Sequence, residues 1–282
     1  MRILLIGAGG QLGTALSGCL TGEILPFNSS DLDISNATLV RQAVPAARPD
    51  LVINAAAYNF VDRAEDERDR AFAVNALGPR FLAETCASLD IPLVHVSSDY
   101  VFGKDAGRRM PYGETDPPGP LGDYARSKLS GEGFVQAACP KHFILRTCGL
   151  YGQAVSPGKG NFVTTMLRLG GERGTVSVVD DQWCTPTAAA DLAGWVAELI
   201  ATDKYGLYHA TNSGSTTWCR LAREVFRCAG MKVEVKPITT AEFGAKAGRP
   251  AYSVLDSSKL EAVIGRRLRP WEEALTEYLK KR

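Results

Sequence analysis

Little in this 282-residue sequence points to a charged partner. Lys and Arg together number 32 against 31 Asp and Glu, a formal net charge of +1. That balance leaves no electrostatic case for nucleic acid or an anionic membrane surface. No apolar run approaches the roughly 20 residues needed to cross a bilayer. The start, Met1-Arg-Ile-Leu-Leu-Ile6, runs straight into glycines with no small-residue cleavage site, so it reads as a buried first strand and not a signal peptide. The seven cysteines (Cys19, Cys86, Cys139, Cys148, Cys184, Cys219, Cys228) are odd in number, scattered, and contain no C-x-x-C pair. Reduced thiols in a cytoplasmic protein, with no metal site, are the expectation. Repeats and low-complexity tracts are missing too. What is present is ordinary for a globular chain, 45% hydrophobic and 22% charged. It suffices for one α/β domain, or a nucleotide domain with a smaller partner.

The first segment carries the clearest pattern. Arg2–Ile6 has the apolar run of a central parallel strand, and Gly7-Ala-Gly-Gly10-Gln-Leu-Gly13 follows at once, with a helix continuing through Thr14–Leu20. Strand, glycine turn and helix N-terminus together form a pyrophosphate cradle, since glycines let the backbone approach the phosphates and the first helical amides point at them. Ile24–Phe27 is predicted as the second strand. Its tip, Asn28-Ser-Ser30, has no carboxylate for a ribose 2′-hydroxyl and no arginine for a 2′-phosphate. Small neutral groups tolerate a 2′-phosphate, so the reading leans to NADPH, with NADH as the alternative. Asp33-Ile34 falls where an acidic side chain meets adenine, and Asp33 also reads as the N-cap of a helix over 35–46.

Leu51–Ala57 reads as a strand ending in small residues, which let a ribose and nicotinamide lie close to the backbone. The charged stretch 62–70 reads as a solvated helix surface. A helix follows from Ala73 to about Leu89, loosened at Gly78-Pro79. Ile91–Ser98 is the next buried strand, with His95 a satisfied core histidine. A glycine- and proline-rich loop over 99–123 reads as a rim over a substrate, and Glu114 and Asp116 within it as solvated carboxylates. His142–Arg146 completes the strand–helix alternation of a parallel sheet. Beyond Thr147 the pattern changes. An irregular stretch from Gly149 to Phe162 precedes a helix near 163–169, a strand at Val176–Val179, and a helix capped by Thr185 with Pro186 in its first turn. A strand over 206–210 and a helix over 216–228 come next. The expected fold is α/β, a Rossmann-like doubly wound parallel sheet with a smaller interleaved C-terminal α/β substrate lobe. The division is 1–148 for dinucleotide binding, with 185–210 packing back on it, and 149–282 mainly for substrate.

The chemistry centres on Tyr124-Ala-Arg-Ser-Lys128, a tyrosine and a lysine four residues apart on one helix face. An ammonium there can lower the phenol from its usual pKa near 10 and make it a useful proton donor or acceptor for a ketone or hydroxyl. Isolated, Y-x-x-x-K is common on surface helices. Its position after the glycine loop, with Ser98 ending the preceding strand, makes Ser98, Tyr124 and Lys128 a recognisable set. Ser98 can hydrogen-bond the substrate oxygen, Tyr124 can protonate it, and Lys128 can tune the phenol.

These residues resemble the extended short-chain dehydrogenase/reductase family nearly end to end. The likeness rests on Gly7–Gly13, Asn54-Ala-Ala-Ala57, Ser98-Asp-Tyr-Val-Phe102, Pro120 through Glu132, Asp181-Gln-Trp-Cys-Thr-Pro186, Gly206-Leu-Tyr-His-Ala-Thr-Asn212 and Arg249-Pro250. Within the family it is similar to the reductases that convert dTDP-4-dehydro-β-L-rhamnose to dTDP-β-L-rhamnose with NADPH or NADH. The resemblance implies cofactor contacts at Gly7, Gly10, Gln11, Leu12, Gly13, Asp33, Ile34, Ala55, Ala57, Tyr58 and Asn59, together with Tyr124 and Lys128. It implies sugar-nucleotide contacts at Ser98, Asp99, Asn161 and Arg249, the arginine meeting the diphosphate. It also implies a homodimer. Gly149 stands where several relatives have tryptophan, which leaves the hexose open. Two alternatives are another nucleotide-sugar 4-ketoreductase or epimerase, and a non-catalytic NADP-binding regulatory subunit. An intact serine, tyrosine and lysine argue against the second.

Overall fold

The computed structural model describes residues 1–154 and 160–282; the part of the irregular stretch at 155–159 lies outside the described residues. The chain begins with alternating elements: β1 (Arg2–Ile6), α1 (Gln11–Cys19), β2 (Glu23–Phe27), α2 (Ala37–Ala47), β3 (Leu51–Asn54), α3 (Arg68–Phe72), α4 (Gly78–Ser88), β4 (Leu93–Ser98), α5 (Asp123–Ala138) and β5 (His142–Thr147). It continues through β6 (Leu150–Tyr151), α6 (Phe162–Glu172), β7 (Thr175–Val179), β8 (Trp183–Cys184), β9 (Thr187–Ala188), α7 (Ala189–Leu199) and β10 (Gly206–His209). Last come β11 (Thr216–Thr217), α8 (Trp218–Cys228), β12 (Glu234–Ile238), α9 (Thr240–Phe243), α10 (Ser258–Ile264) and α11 (Trp271–Lys280).

Six strands form one parallel sheet in the order β10-β5-β4-β3-β1-β2. Side chains alternate across a strand, and both faces are covered. Ile3 and Leu5 pack with Leu12 and Leu16 of α1 and Leu192, Trp195 and Val196 of α7. Leu4 and Ile6 face the other way, onto Val40 and Val44 of α2, Leu82 of α4 and Val135 of α5. Thus β10 and α7, far along the sequence, belong to the same layered body as β1 and α1. A second core gathers α6, β7, α8 and α11 around Val163, Val176, Phe226 and Leu275, with β7 and β12 paired in parallel.

Several local expectations give way. The helix expected from residue 35 starts two residues later, because Asn36 accepts from the amides of Thr38 and Leu39. Asp33 instead receives Ser35 N–H at 3.0 Å and Ser35 Oγ–H at 2.6 Å. Thr185 is not a helix cap; its hydroxyl donates to Gly214 O at 2.7 Å, and α7 starts after Ala188 without a side-chain cap. Ala73–Leu77 is a π-helical turn leading into α4, a sharper departure than a loosened turn. His95 is only half satisfied. Its Nδ1 meets Asn54 Nδ2 at 3.2 Å while Nε2 has no partner among the described residues. No helix among the described residues is long and apolar enough to cross a membrane.

Candidate active site

The strand order reverses beside β1, which lies between β2 and β3. Crevices open at such switch points beyond the strands' carboxyl ends. Here the glycine turn walls a cleft of about 650 Å³. Gly7 takes a φ of +82°, a backbone that side chains strain to adopt, and a Cβ there would meet Ala56 N at 2.7 Å. A Cβ on Gly13 would approach Gly7 O to 2.2 Å, so only glycine lets α1 pack this tightly on the turn. Gly9 N–H is fixed by Asn28 Oδ1 at 2.7 Å.

Of the residues expected to hold a dinucleotide, Gly7, Gly10, Gln11, Asp33, Ile34, Ala55, Ala57, Tyr58 and Asn59 line this cleft. Leu12 and Gly13 lie behind it. The Leu12 side chain belongs to the sheet core, leaving only its backbone to offer. Gln11 also reaches across the fold: its Oε1 accepts Gly152 N–H and Asn161 Nδ2–H, both at 2.7 Å. Asn161 caps α6 through Thr164 N–H at 2.8 Å. The structure therefore places Asn161 against the glycine loop, with its amide group engaged inside the chain.

Ser98, Tyr124 and Lys128 come together at the carboxyl end of β4 and the first turns of α5. None of the three lines the cleft just described, and all are buried. Ser98 Oγ donates to Asp99 Oδ1 at 3.1 Å and accepts Tyr100 N–H at 3.2 Å. Burial pushes the Tyr124 phenol up to about 12, opposed by a hydrogen bond with Ser98. Burial also brings the Lys128 ammonium down to about 8, opposed by the Glu132 carboxylate. Lys128 Nζ donates to Val96 O at 2.6 Å. Desolvation is the largest cause of both shifts. At neutral pH the phenol keeps its proton.

Around this trio lie groups that motif reading missed. Asn75, in the π turn, accepts Tyr58 N–H at 2.8 Å and donates to Tyr58 O at 3.0 Å and Ser127 Oγ at 3.1 Å, so it ties the cleft wall to α5. Asp99 is buried behind Ser98 and receives Ser253 Oγ–H at 2.6 Å. Burial raises its carboxyl, opposed by hydrogen bonds from Ser253, Cys148 and Ser98. The 62–70 stretch is not simply a solvated surface. Asp62 grips Arg249 through both carboxylate oxygens, at 3.0 and 2.8 Å. Glu65 Oε1 accepts Asp123 N–H at 2.8 Å, capping α5 from outside. Tyr58 Oη donates to Glu67 at 3.0 Å, and Arg70 lines the cleft. No motif marks these pairings, because each joins residues far apart in sequence. Glu114 and Asp116 are not free either. They accept from His209 N–H at 2.9 Å and from Arg108 at 2.7 Å. A Cβ on Gly149 would lie 3.2 Å from Pro186 Cα and 3.3 Å from the Trp218 ring, so an indole borders that position from another element.

A parallel sheet with a glycine turn at its switch point and a serine, tyrosine and lysine converging beyond β4 defines a Rossmann-fold protein of the short-chain dehydrogenase/reductase type. The particular family follows from the whole length. The family model described as RmlD substrate binding domain matches residues 1–282, and the chain belongs to that family. It is 43% identical to the dTDP-4-dehydrorhamnose reductase of Streptomyces griseus, over 98% of this chain and 92% of that protein. The crystal structure of dTDP-4-dehydrorhamnose reductase from Bacillus anthracis in complex with NADP superposes with a TM-score of 0.94 at 42% identity, covering 100% of this chain and 99% of that one. An ortholog from Clostridium acetobutylicum gives the same TM-score at 41% identity, with the same coverage.

Proposed function

We propose that this protein reduces the C4 ketone of dTDP-4-dehydro-β-L-rhamnose to dTDP-β-L-rhamnose, with NADPH as reductant. The observation that carries the reading is the convergence of Ser98, Tyr124 and Lys128 in a chain of this family. Gly7, Gly10, Gly13 and the backbone of Gln11 and Leu12 would hold the cofactor's pyrophosphate, with Asp33 and Ile34 at the adenine. Ala55, Ala57, Tyr58 and Asn59 would line its inner wall. The fit rests on the glycine cradle, where any Cβ on Gly7 or Gly13 would strike backbone. NADPH, when bound, supplies the hydride.

The protein's share is the proton and the alignment. With its phenol near 12, Tyr124 stays protonated at neutral pH, the state a proton donor to a developing alkoxide needs. Ser98 is held in place by Asp99 and the Tyr100 amide, and would turn its one hydroxyl proton from Asp99 to the ketone oxygen when substrate binds. Lys128 holds a proton close to neutral pH and can return one to Tyr124 between turnovers. Arg249, buttressed by Asp62, offers a guanidinium to the diphosphate, Asp99 backs Ser98 on the sugar side, and Asn161 would meet the sugar only by giving up its bonds to Gln11 and Gly152. The reading includes a nucleotide-binding unit of 1–148 with 185–210, a substrate lobe in the rest of 149–282, a homodimer, and a cytoplasmic location suited to seven unpaired thiols.

The test is NADPH oxidation followed by absorbance, with the keto sugar made in situ. Tyr124→Phe is expected to bind NADPH as the unaltered protein does and to lose turnover by at least about a hundredfold. Retained turnover in Tyr124→Phe would remove the tyrosine from the mechanism; no turnover by the unaltered protein would remove the substrate.

A further inference from the structure

The cleft raises a question that the β2 tip does not answer: what recognises a phosphate on the adenosine ribose? Asn28 is spent on Gly9 N–H, and Asp31 turns its carboxylate onto Asn28 N–H at 2.7 Å. Ser29 lines the cleft but carries no charge. A pyrophosphate needs no side-chain cation here, because the glycine turn and the start of α1 present backbone amides. A phosphomonoester on the ribose has no such partner.

Among the described residues lining the cleft, Arg70 is the only cation. It sits in α3, and Val74, four residues on, lines the same wall. Its guanidinium lies 5.9 Å from the Tyr58 ring centroid. Its one ion pair is loose, with Nη1 3.3 Å from Glu67 Oε2 and the side chain 69% exposed. Glu67 is otherwise engaged. Arg63 holds its other oxygen through Nε at 3.0 Å and through Nη2, and Tyr58 Oη donates to Oε2. The single negative charge of Glu67 is thus already met by Arg63, which leaves Arg70 as surplus positive charge at the cleft wall. A weak exposed pair is cheap to exchange for a doubly charged phosphate that takes two guanidinium hydrogen bonds.

We infer that Arg70 is the residue that selects a 2′-phosphorylated dinucleotide over its unphosphorylated counterpart. The inference deepens the reductase reading and rests on its cofactor. It assigns no part in the chemical step to Arg70.

The experiment compares Arg70→Gln, Arg70→Lys and Arg63→Gln with the unaltered protein, measuring kcat/KM for NADPH and for NADH. Binding of 2′,5′-ADP and of 5′-AMP is titrated alongside. Arg63→Gln is the indirect probe, because it leaves the charge of Glu67 for Arg70 to meet without altering the cleft lining. Arg70→Gln is expected to lower the NADPH-to-NADH preference about tenfold or more, and the 2′,5′-ADP-to-5′-AMP affinity ratio with it. Arg70→Lys should recover part of both, and Arg63→Gln should lower both in part, because Glu67 would then be left to Arg70. Equal weakening toward both cofactors would make Arg70 a stacking partner of the adenine and overturn the inference, as would an unchanged ratio. Failure of the unaltered protein to bind either cofactor would instead sink the reductase reading beneath it.

Discussion

Lys128→Met probes what it costs this protein to keep an ammonium where almost no water reaches. Lys128 is 2% exposed, and its ordinary value of 10.5 is lowered to about 8. At about 1.4 kcal/mol for each tenfold change in proton affinity, the charged form costs the fold about 3 kcal/mol. Because the folded value is depressed, the unfolded chain binds more protons between about pH 8 and pH 10.5, and wild-type stability should rise across that window. Below pH 8 the penalty is fully present. Methionine has nearly the same reach and no charge, so it removes the penalty but leaves Val96 O, the 2.6 Å acceptor, without its donor at about 1–3 kcal/mol. The variant should therefore be as stable as wild type or up to about 2 kcal/mol more stable at pH 7. By pH 10.5 it should be less stable by about 1–3 kcal/mol. The robust quantity is the difference between the two pH values, about 3 kcal/mol, since the lost hydrogen bond cancels. Urea unfolding at pH 7 and at pH 10.5, with turnover measured alongside, reads it directly. A variant-minus-wild-type difference that stays flat with pH would refute the idea that Lys128 is a strained buried cation.

Two further outcomes follow from packed charges and packed glycines. Glu132→Gln leaves Arg146 facing Glu132's former site with side chains only 2% and 4% exposed, and should cost about 3–5 kcal/mol in urea unfolding; a loss below about 1 kcal/mol would mean that the guanidinium finds another partner. Gly13→Ala places a methyl 2.2 Å from Gly7 O, and should weaken NADPH binding about tenfold to a hundredfold in a fluorescence titration. Unchanged affinity would show that the turn relaxes freely.

The sheet was legible because its signals are local. A buried strand followed by three spaced glycines has few other uses, and Tyr124, Lys128 and Ser98 could be picked out by spacing and by their places at a strand end and a helix start. Helix starts were less legible. Asn36 and Asp33 are equally good caps by residue type, and only the path of the chain after Leu32 decided between them. Thr185 has the sequence of a cap, yet its hydroxyl is claimed by Gly214, 29 residues away.

By itself the sequence determined the alternation of strands and helices, the glycine cradle and the identity of the trio, all of which depend on neighbours within a few residues. Tertiary structure decided the electrostatics and the supporting shell. Spacing put Tyr124 and Lys128 on one face, but desolvation, which depends on everything packed around α5, raised the phenol and depressed the ammonium. Asp62 with Arg249, Glu65 with the start of α5, Gln11 with Asn161, and Arg70 at the cleft are likewise products of the fold. Each is a charge or hydrogen bond whose partner lies elsewhere in the chain, and a polar group's role is set by the partner that folding brings to it.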